Sequence, residues 1–146
     1  MARILAIDLG ERRVGLAVSD PGGRVASPAG HLVRRPGKRL PVAALLRRAA
    51  ELDVEAFVVG LPLDEEGDDT PLSREARALA RALAERSGLP VQLVDERYTT
   101  AMALRAVREM GGSTRGRRGD VDALAATVLL QQVLDRSAAA GPGGNS

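Results

Sequence analysis

Residues 3–19 read RILAIDLGERRVGLAVS, and the fold turns on this stretch. Ile4 to Leu9 is apolar at every position except Asp8. A near-continuous apolar run predicts a strand buried on both faces, in the middle of a sheet. Gly10 breaks the run, Glu11-Arg12-Arg13 turn it, and Val14 to Ser19 resume it as a second strand. An ionised carboxylate inside such a strand is costly unless neutralised, hydrogen-bonded or bound to a metal. Two readings of Asp8 follow. It caps the hairpin by accepting from backbone N–H groups, or it belongs to a site built at the end of a central strand.

The segments further along supply the rest of a sheet. Arg24 to Arg35 has β-prone Val25 and Val33 but is broken by Pro28 and Gly30, which predicts an irregular strand at a sheet edge. His31, the single histidine, gets no role. Arg34-Arg35 and Lys38-Arg39 form a basic linker. Pro41 to Leu52 has helical periodicity in Val42, Leu45, Leu46, Ala49 and Ala50, with Pro41 at the first helical position. Ala56 to Val59 is a short buried strand ending in Gly60-Leu61-Pro62. Leu63 to Asp69 is acidic, but it lacks the ligand spacing of a calcium loop and reads as a solvated turn. Thr70-Pro71 opens a helix with stripe Leu72, Ala76, Leu79, Ala80 and Leu83, closed by Gly88 and Pro90.

Val91 to Val94 reads as another buried strand and runs into Asp95-Glu96-Arg97. Thr99 or Thr100 caps a helix to about Met110. Residues 111–119, GGSTRGRRG, hold no apolar side chain and predict a flexible basic loop. The last helix runs from Val121 to about Arg136 with stripe Val121, Leu124, Ala125, Val128, Leu129 and Gln132. The expected domain is therefore 1–138, with 139–146 a disordered small-residue tail. Three strands in a meander followed by αβαβ give an α/β fold: a mixed five-stranded sheet with helices packed on it.

Composition narrows the function classes. The chain has 146 residues, 45% of them hydrophobic, enough for one ordinary core. It has no cysteine, which excludes disulfides and thiolate metal sites. No apolar run approaches the roughly 18 residues of a spanning helix, and no signal pattern opens the chain, so a soluble cytoplasmic protein is expected. The net charge of +2 hides a basic first third and an acidic middle. All basic residues but Lys38 are arginine, which suits bidentate phosphate contacts. With one Phe and one Tyr, base stacking on aromatic platforms is a poor mechanism. Any nucleic acid is expected to be read through backbone and shape.

Three acids stand at comparable places. Asp8 is near the end of strand one, Glu96 follows the last strand, and Asp122 lies in the first turn of the last helix, one residue off its stripe. With strands one and five near neighbours, all three reach one end of the sheet. Hard divalent cations take oxygen ligands, so Mg²⁺ or Mn²⁺ is the expected cofactor and typical catalytic zinc is not. Two such ions clamp the attacking and leaving oxygens of a phosphodiester. Each acid also has a structural reading: Asp8 as a turn residue, Glu96 as a partner of Arg97, Asp122 as a helix-start acid.

Four blocks resemble the YqgF (RuvX) family of bacterial nucleases. They are AIDLGERRVGLAVSD at 6–20, GLPLDEEG at 60–67, VDERYTT at 94–100 and DVDALAATVLLQ at 120–131. Their order and spacing fit residues 2 to 136. The resemblance implies a ribonuclease H-like fold, with Asp8, Glu96 and Asp122 as catalytic, metal-binding acids. It also implies a nuclease of pre-16S rRNA 5′-end maturation and, in some members, of Holliday junction resolution. Asp120 departs from the family pattern, as a cap or a fourth acid. Under this reading Arg97, Arg115, Arg117 and Arg118 contact phosphate, with Arg12 and Arg13 next, and symmetric junction cutting favours a homodimer. Two alternatives remain: a non-catalytic nucleic-acid-binding module, and a nucleotide-binding phosphotransferase. The second would need two such lobes and has no GxxxxGK[ST] loop here.

Overall fold

β1 (Ile4–Leu9) is the middle strand of five, in the order β3-β2-β1-β4-β5. The computed structural model describes residues 3–34, 39–97, 99–109 and 118–145. β2 (Arg13–Ser19) and β3 (Ala26–Val33) complete the antiparallel meander. β4 (Ala56–Leu61) and β5 (Val91–Asp95) add in parallel on the other side of β1. The hairpin turn closes with the Gly10 N–H donating to the Arg13 carbonyl at 2.8 Å. β3 is an edge strand, as Pro28 requires, and its pairing with β2 is irregular between Gly15 and Ala17.

Alternation along the strands divides the core into two layers. Leu5, Ile7, Leu9, Phe57, Val59 and Leu61 point to one face, with Val14, Leu16 and Val18 of β2. There they meet α1 (Val42–Glu51) through Leu45 and α2 (Pro71–Ser87) through Leu79 and Leu83. Ala6, Ala17, Val58 and Val94 point the other way, toward α4 (Arg118–Asn145) and Ala101 of α3 (Thr100–Glu109). On the sheet side this layer offers the small Ala6 and Ala17, against which α4 sets Ala126, Leu129, Leu130, Val133 and Leu134.

The helix ends follow their local chemistry. The Thr70 hydroxyl accepts from the Ser73 N–H at 3.0 Å while the Ser73 hydroxyl accepts from the Thr70 N–H at 2.7 Å. Gly88 ends α2 with φ 74°, a left-handed conformation that favours glycine. Thr99 rather than Thr100 caps α3, accepting from the Met102 N–H at 3.2 Å.

Several elements differ from the sequence reading. Pro41 stands one residue before α1 rather than inside it. β4 continues through Gly60 and Leu61, because both keep their places in the ladder beside β5. β5 is an edge strand with only Val94 buried, not a strand covered on both faces. β1 and β5 are not adjacent; β4 lies between them. α4 starts at Arg118, so Asp122 is its fifth residue. Its buried residues are Ala123, Ala125, Ala126, Leu129, Leu130, Val133 and Leu134. Of the predicted stripe, Ala125 and Leu129 are buried and Val128 is half-buried against the core, while Leu124 is 43% exposed. α4 also continues beyond Arg136 into the stretch expected as a tail, with Ala138 to Ala140 supplying strong helix propensity.

Candidate active site

Parallel pairing brings the C-terminal ends of β1, β4 and β5 to one edge of the fold. The β2 start and the β3 end share that edge. Asp8 and Glu96 are both there, and each is 1% exposed. Four polar or charged residues are buried among the described ones: these two acids, Ser19 and Ser73. The serines have structural tasks. Ser19 accepts from the Ile4 N–H at 2.8 Å, and Ser73 completes the α2 cap. The two acids instead sit where strands end.

Register sets what surrounds Asp8. Its partner on β2 is Gly15. On β4, Ile7 pairs with Val59, so Gly60 is the next residue level with Asp8. Gly60 in turn pairs with Val94 of β5. Asp8 therefore stands between two glycines, on the face that α4 covers. His31 pairs with Gly15 and completes the row two strands from Asp8. Neither neighbour of Asp8 offers a side chain to fill the space around its carboxyl.

Glu96 comes to this notch from the far side of β4. It follows Val94 by two residues and so returns to the same face. A Cβ built on Gly60 would overlap Glu96 Oε2, and would lie 3.4 Å from Glu96 Cδ and 3.0 Å from Leu129 Cδ2. The Glu96 carboxylate is therefore laid over Gly60, beneath α4. Neighbouring strands are about 4.8 Å apart, so the second carboxylate stands about one strand spacing from the strand that carries Asp8.

The chain around Glu96 is tied down on both sides. Its N–H donates to the Leu61 carbonyl, and its carbonyl accepts from the Thr99 hydroxyl at 2.5 Å. Asp95 and Arg97 pair across it, with Arg97 Nη2 2.8 Å from Asp95 Oδ2 and the Arg97 N–H donating to Asp95 Oδ1 at 3.0 Å. Hydrogen bonding from the Arg97 side chain, opposed by burial and helped by its N–H and charge, holds the Asp95 carboxyl below the usual range. The Arg97 guanidinium also rests on Gly67, whose absent Cβ would fall 2.7 Å from Nη1. The blocks GLPLDEEG and VDERYTT thus interlock: Gly60 lies under Glu96, and Gly67 lies under Arg97.

The remaining expected site residues divide clearly. Arg12 is exposed in the hairpin turn and Arg13 is half-buried at the start of β2, both at the site's end of the sheet. Arg97 is there too, but already engaged with Asp95. Arg115 and Arg117 lie outside the described residues, as do the side chains of Arg118, Asp120 and Asp122. In backbone position Asp120 is the third residue of α4, not its cap. The acidic loop is a self-bonded turn, in which the Asp64 carboxylate accepts from the N–H groups of Glu66 and Asp68 at 3.0 and 2.8 Å. Among the described residues no three His, Cys, Asp or Glu side chains are gathered to hold a metal ion.

Sequence reasoning missed Arg34, which it placed in a linker. Its side chain is 9% exposed. It donates to the Gly10 carbonyl at 2.7 Å and pairs with Glu75 of α2 at 2.8 Å. Its N–H also donates to the Arg12 carbonyl at 2.7 Å. Arg34 thereby anchors the hairpin turn next to Asp8 on the helix layer. In sequence it stands in a basic cluster with Arg35, Lys38 and Arg39, which signalled charge rather than burial.

A three-strand meander, two parallel strands beyond it, and buried acids at the ends of β1 and β5 define a ribonuclease H-like α/β domain. The RuvX Holliday junction resolvase family matches residues 2–136, and the chain belongs to that family. It is 41% identical over 137 residues to a candidate pre-16S rRNA nuclease of Clavibacter michiganensis subsp. michiganensis, covering 94% of this chain and 85% of that one. A candidate pre-16S rRNA nuclease of Anaeromyxobacter sp. is 44% identical over 133 residues, covering 91% and 96%. The fold is similar to T. thermophilus RuvC in complex with a Holliday junction substrate, with a TM-score of 0.54, 20% identity, and coverage of 92% and 94%.

Proposed function

We propose that this chain is a divalent-metal-dependent nuclease that hydrolyses phosphodiester bonds in structured nucleic acid. The observation that carries the proposal is the pair of buried carboxylates, Asp8 and Glu96, brought to one face at the ends of β1 and β5. The donor set fits a hard cation. It is all oxygen, there is no cysteine, and the one histidine stands two strands from Asp8. Asp8 and Glu96 would hold Mg²⁺ or Mn²⁺, with Asp122 of α4 as the third ligand. Bound ions of this kind lower the pKa of water and stabilise a leaving oxygen. Asp8, on the central strand, would be the most rigidly placed of these ligands. Asp120 is a further acid at the start of α4.

Arg12, Arg13, Arg115, Arg117 and Arg118 are the proposed phosphate contacts, and Arg97 serves chiefly to hold Asp95 beside Glu96. Neutralising Arg115, Arg117 and Arg118 together is expected to flatten the plot of log binding constant against log salt. The slope falls by up to about 0.9 per lost duplex phosphate contact. An unchanged slope removes this segment from the interface. The acidic loop 64–69 is not proposed as a phosphate contact, since its carboxylates carry the charge of the phosphate.

The deciding experiment incubates the full chain with a synthetic four-way junction, a plain duplex and a pre-16S rRNA leader, each with Mg²⁺ or Mn²⁺. Cleavage of the junction or the leader, but not of the duplex, is expected. The family description favours the junction, and the names of the 41–44% identical relatives favour the leader. No metal-dependent turnover on any of the three would leave a nucleic-acid-binding module as the better reading. A homodimer is proposed for a junction-cutting enzyme, since two strands must be cut symmetrically, and its check is the mass in solution. Among the described residues no helix is long and apolar enough to cross a membrane, and a cytoplasmic location is proposed.

A further inference from the structure

We infer that Gly60 is a positioning residue: its missing side chain is the space in which the Glu96 carboxylate stands beside Asp8. This rests on the reading of Asp8 and Glu96 as the metal-holding acids, and it goes beyond that reading by saying what brings them together.

Glycine inside a strand is unfavourable by roughly 0.5–1 kcal/mol relative to alanine, so its presence in AFVVGL needs a reason. Backbone conformation is not the reason. Gly23, Gly30, Gly67 and Gly88 have positive φ, and Gly60 is not among them. Its backbone keeps the β4 ladder, pairing with Val94. What alanine could not keep is the space above it. The added methyl would overlap Glu96 Oε2 and press on Leu129 Cδ2 at 3.0 Å. Both neighbours are 1% exposed, so neither swings out into solvent without opening the α4 layer.

The two contacts have different consequences. The Glu96 carboxylate is the far end of a flexible side chain, so it is the group that yields. Leu129 is seven residues along α4 from Asp122, so pressure on it is transmitted to the helix that carries the third acid. Gly60 thus sets the position of Glu96 directly and of α4 indirectly, both relative to Asp8 on the adjacent strand. The fold needs only a small residue at position 60. The site needs none of the alanine methyl.

The test compares wild type, Gly60→Ala, Glu96→Ala and the double variant as full chains. Each is melted without metal and with increasing Mn²⁺. In wild type Mn²⁺ raises the melting temperature. In Gly60→Ala the apparent Mn²⁺ affinity is expected to fall about 10- to 100-fold, the usual effect of disturbing a ligand's support. Cleavage per folded molecule, with the folded fraction read from the melting curve at the assay temperature, falls mainly in kcat, whereas loss of fold alone would lower only the number of active molecules. In the Glu96→Ala background, Gly60→Ala lowers Mn²⁺ affinity much less than in wild type, leaving only the part transmitted through Leu129. Its metal-free cost in melting temperature also shrinks, because the methyl no longer meets a carboxylate. Wild-type Mn²⁺ affinity in Gly60→Ala would overturn the inference, and so would an equal metal-free cost in both backgrounds. If wild type gains no stability from Mn²⁺, the nuclease reading fails. The metal-free cycle then still decides the steric claim on its own.

Discussion

Asp8→Asn is expected to abolish cleavage while leaving the fold intact. The substitution keeps the shape of the side chain and removes one negative oxygen. A hard cation held by two or three carboxylates loses the ligand on the most fixed strand, and the transition state loses several kcal/mol of stabilisation. At about 1.36 kcal/mol per decade, that is a fall on the order of 10³-fold in kcat. Folding runs the other way. Asp8 is 1% exposed, and a buried amide is less costly than a buried carboxylate. Without metal the variant should therefore melt at or above the wild-type temperature. Added Mn²⁺, which stabilises a state it binds, should stabilise the variant less. The measurement is the cleavage rate on junction and leader substrates beside melting curves with and without Mn²⁺. Cleavage at the wild-type rate would remove Asp8 from the chemistry. A collapse of the metal-free melting temperature would make it a structural residue instead.

One strand marked Asp8 as unusual, because a carboxylate inside an apolar run is costly wherever the run is buried, but it left hairpin cap and site acid as equal readings until the other acids were considered. Glu96 was available for a similar reason, as an acid directly after a strand. The surroundings that bring them together were not. Gly15 and Gly60 are ordinary glycines until register places them on either side of Asp8. Register depends on which strands pair, and that is set by the packing of distant segments. The same limit hid Arg34, which reaches back to Gly10 and across to Glu75. The stripe of α4 was legible only in part: Ala125 and Leu129 are buried as expected, but Leu124 is apolar yet exposed, and the packing alanines Ala123 and Ala126 are weak signals. The ends of α2 were legible in Thr70, Pro71 and Gly88, which act on their own neighbours and need no tertiary information, although the return bond from Ser73 was not read.

β4 carries core on one face and site on the other, and Phe57→Ala should separate the two. Phe57 is 1% exposed and lies level with Leu5 of β1 and Val91 of β5, within the layer that meets α1 and α2. Truncating a buried phenylalanine removes its transfer free energy and leaves a cavity, at a cost of about 3–5 kcal/mol. For a domain of this size that is a large part of the usual total of about 5–15 kcal/mol. The denaturant midpoint should drop accordingly, with the slope unchanged if unfolding stays two-state. Activity should respond differently. Phe57 shares its face with Val59 and Leu61, whereas Val58 and Gly60 face α4, Asp8 and Glu96. Cleavage per folded molecule, measured well below the lowered midpoint, is therefore expected to stay within a few-fold of wild type, the reverse of the pattern expected for Gly60→Ala. If Phe57→Ala loses activity in proportion to Gly60→Ala while still folded, the two faces of β4 are mechanically coupled. The acids would then be held by the strand as a whole rather than by the space above Gly60.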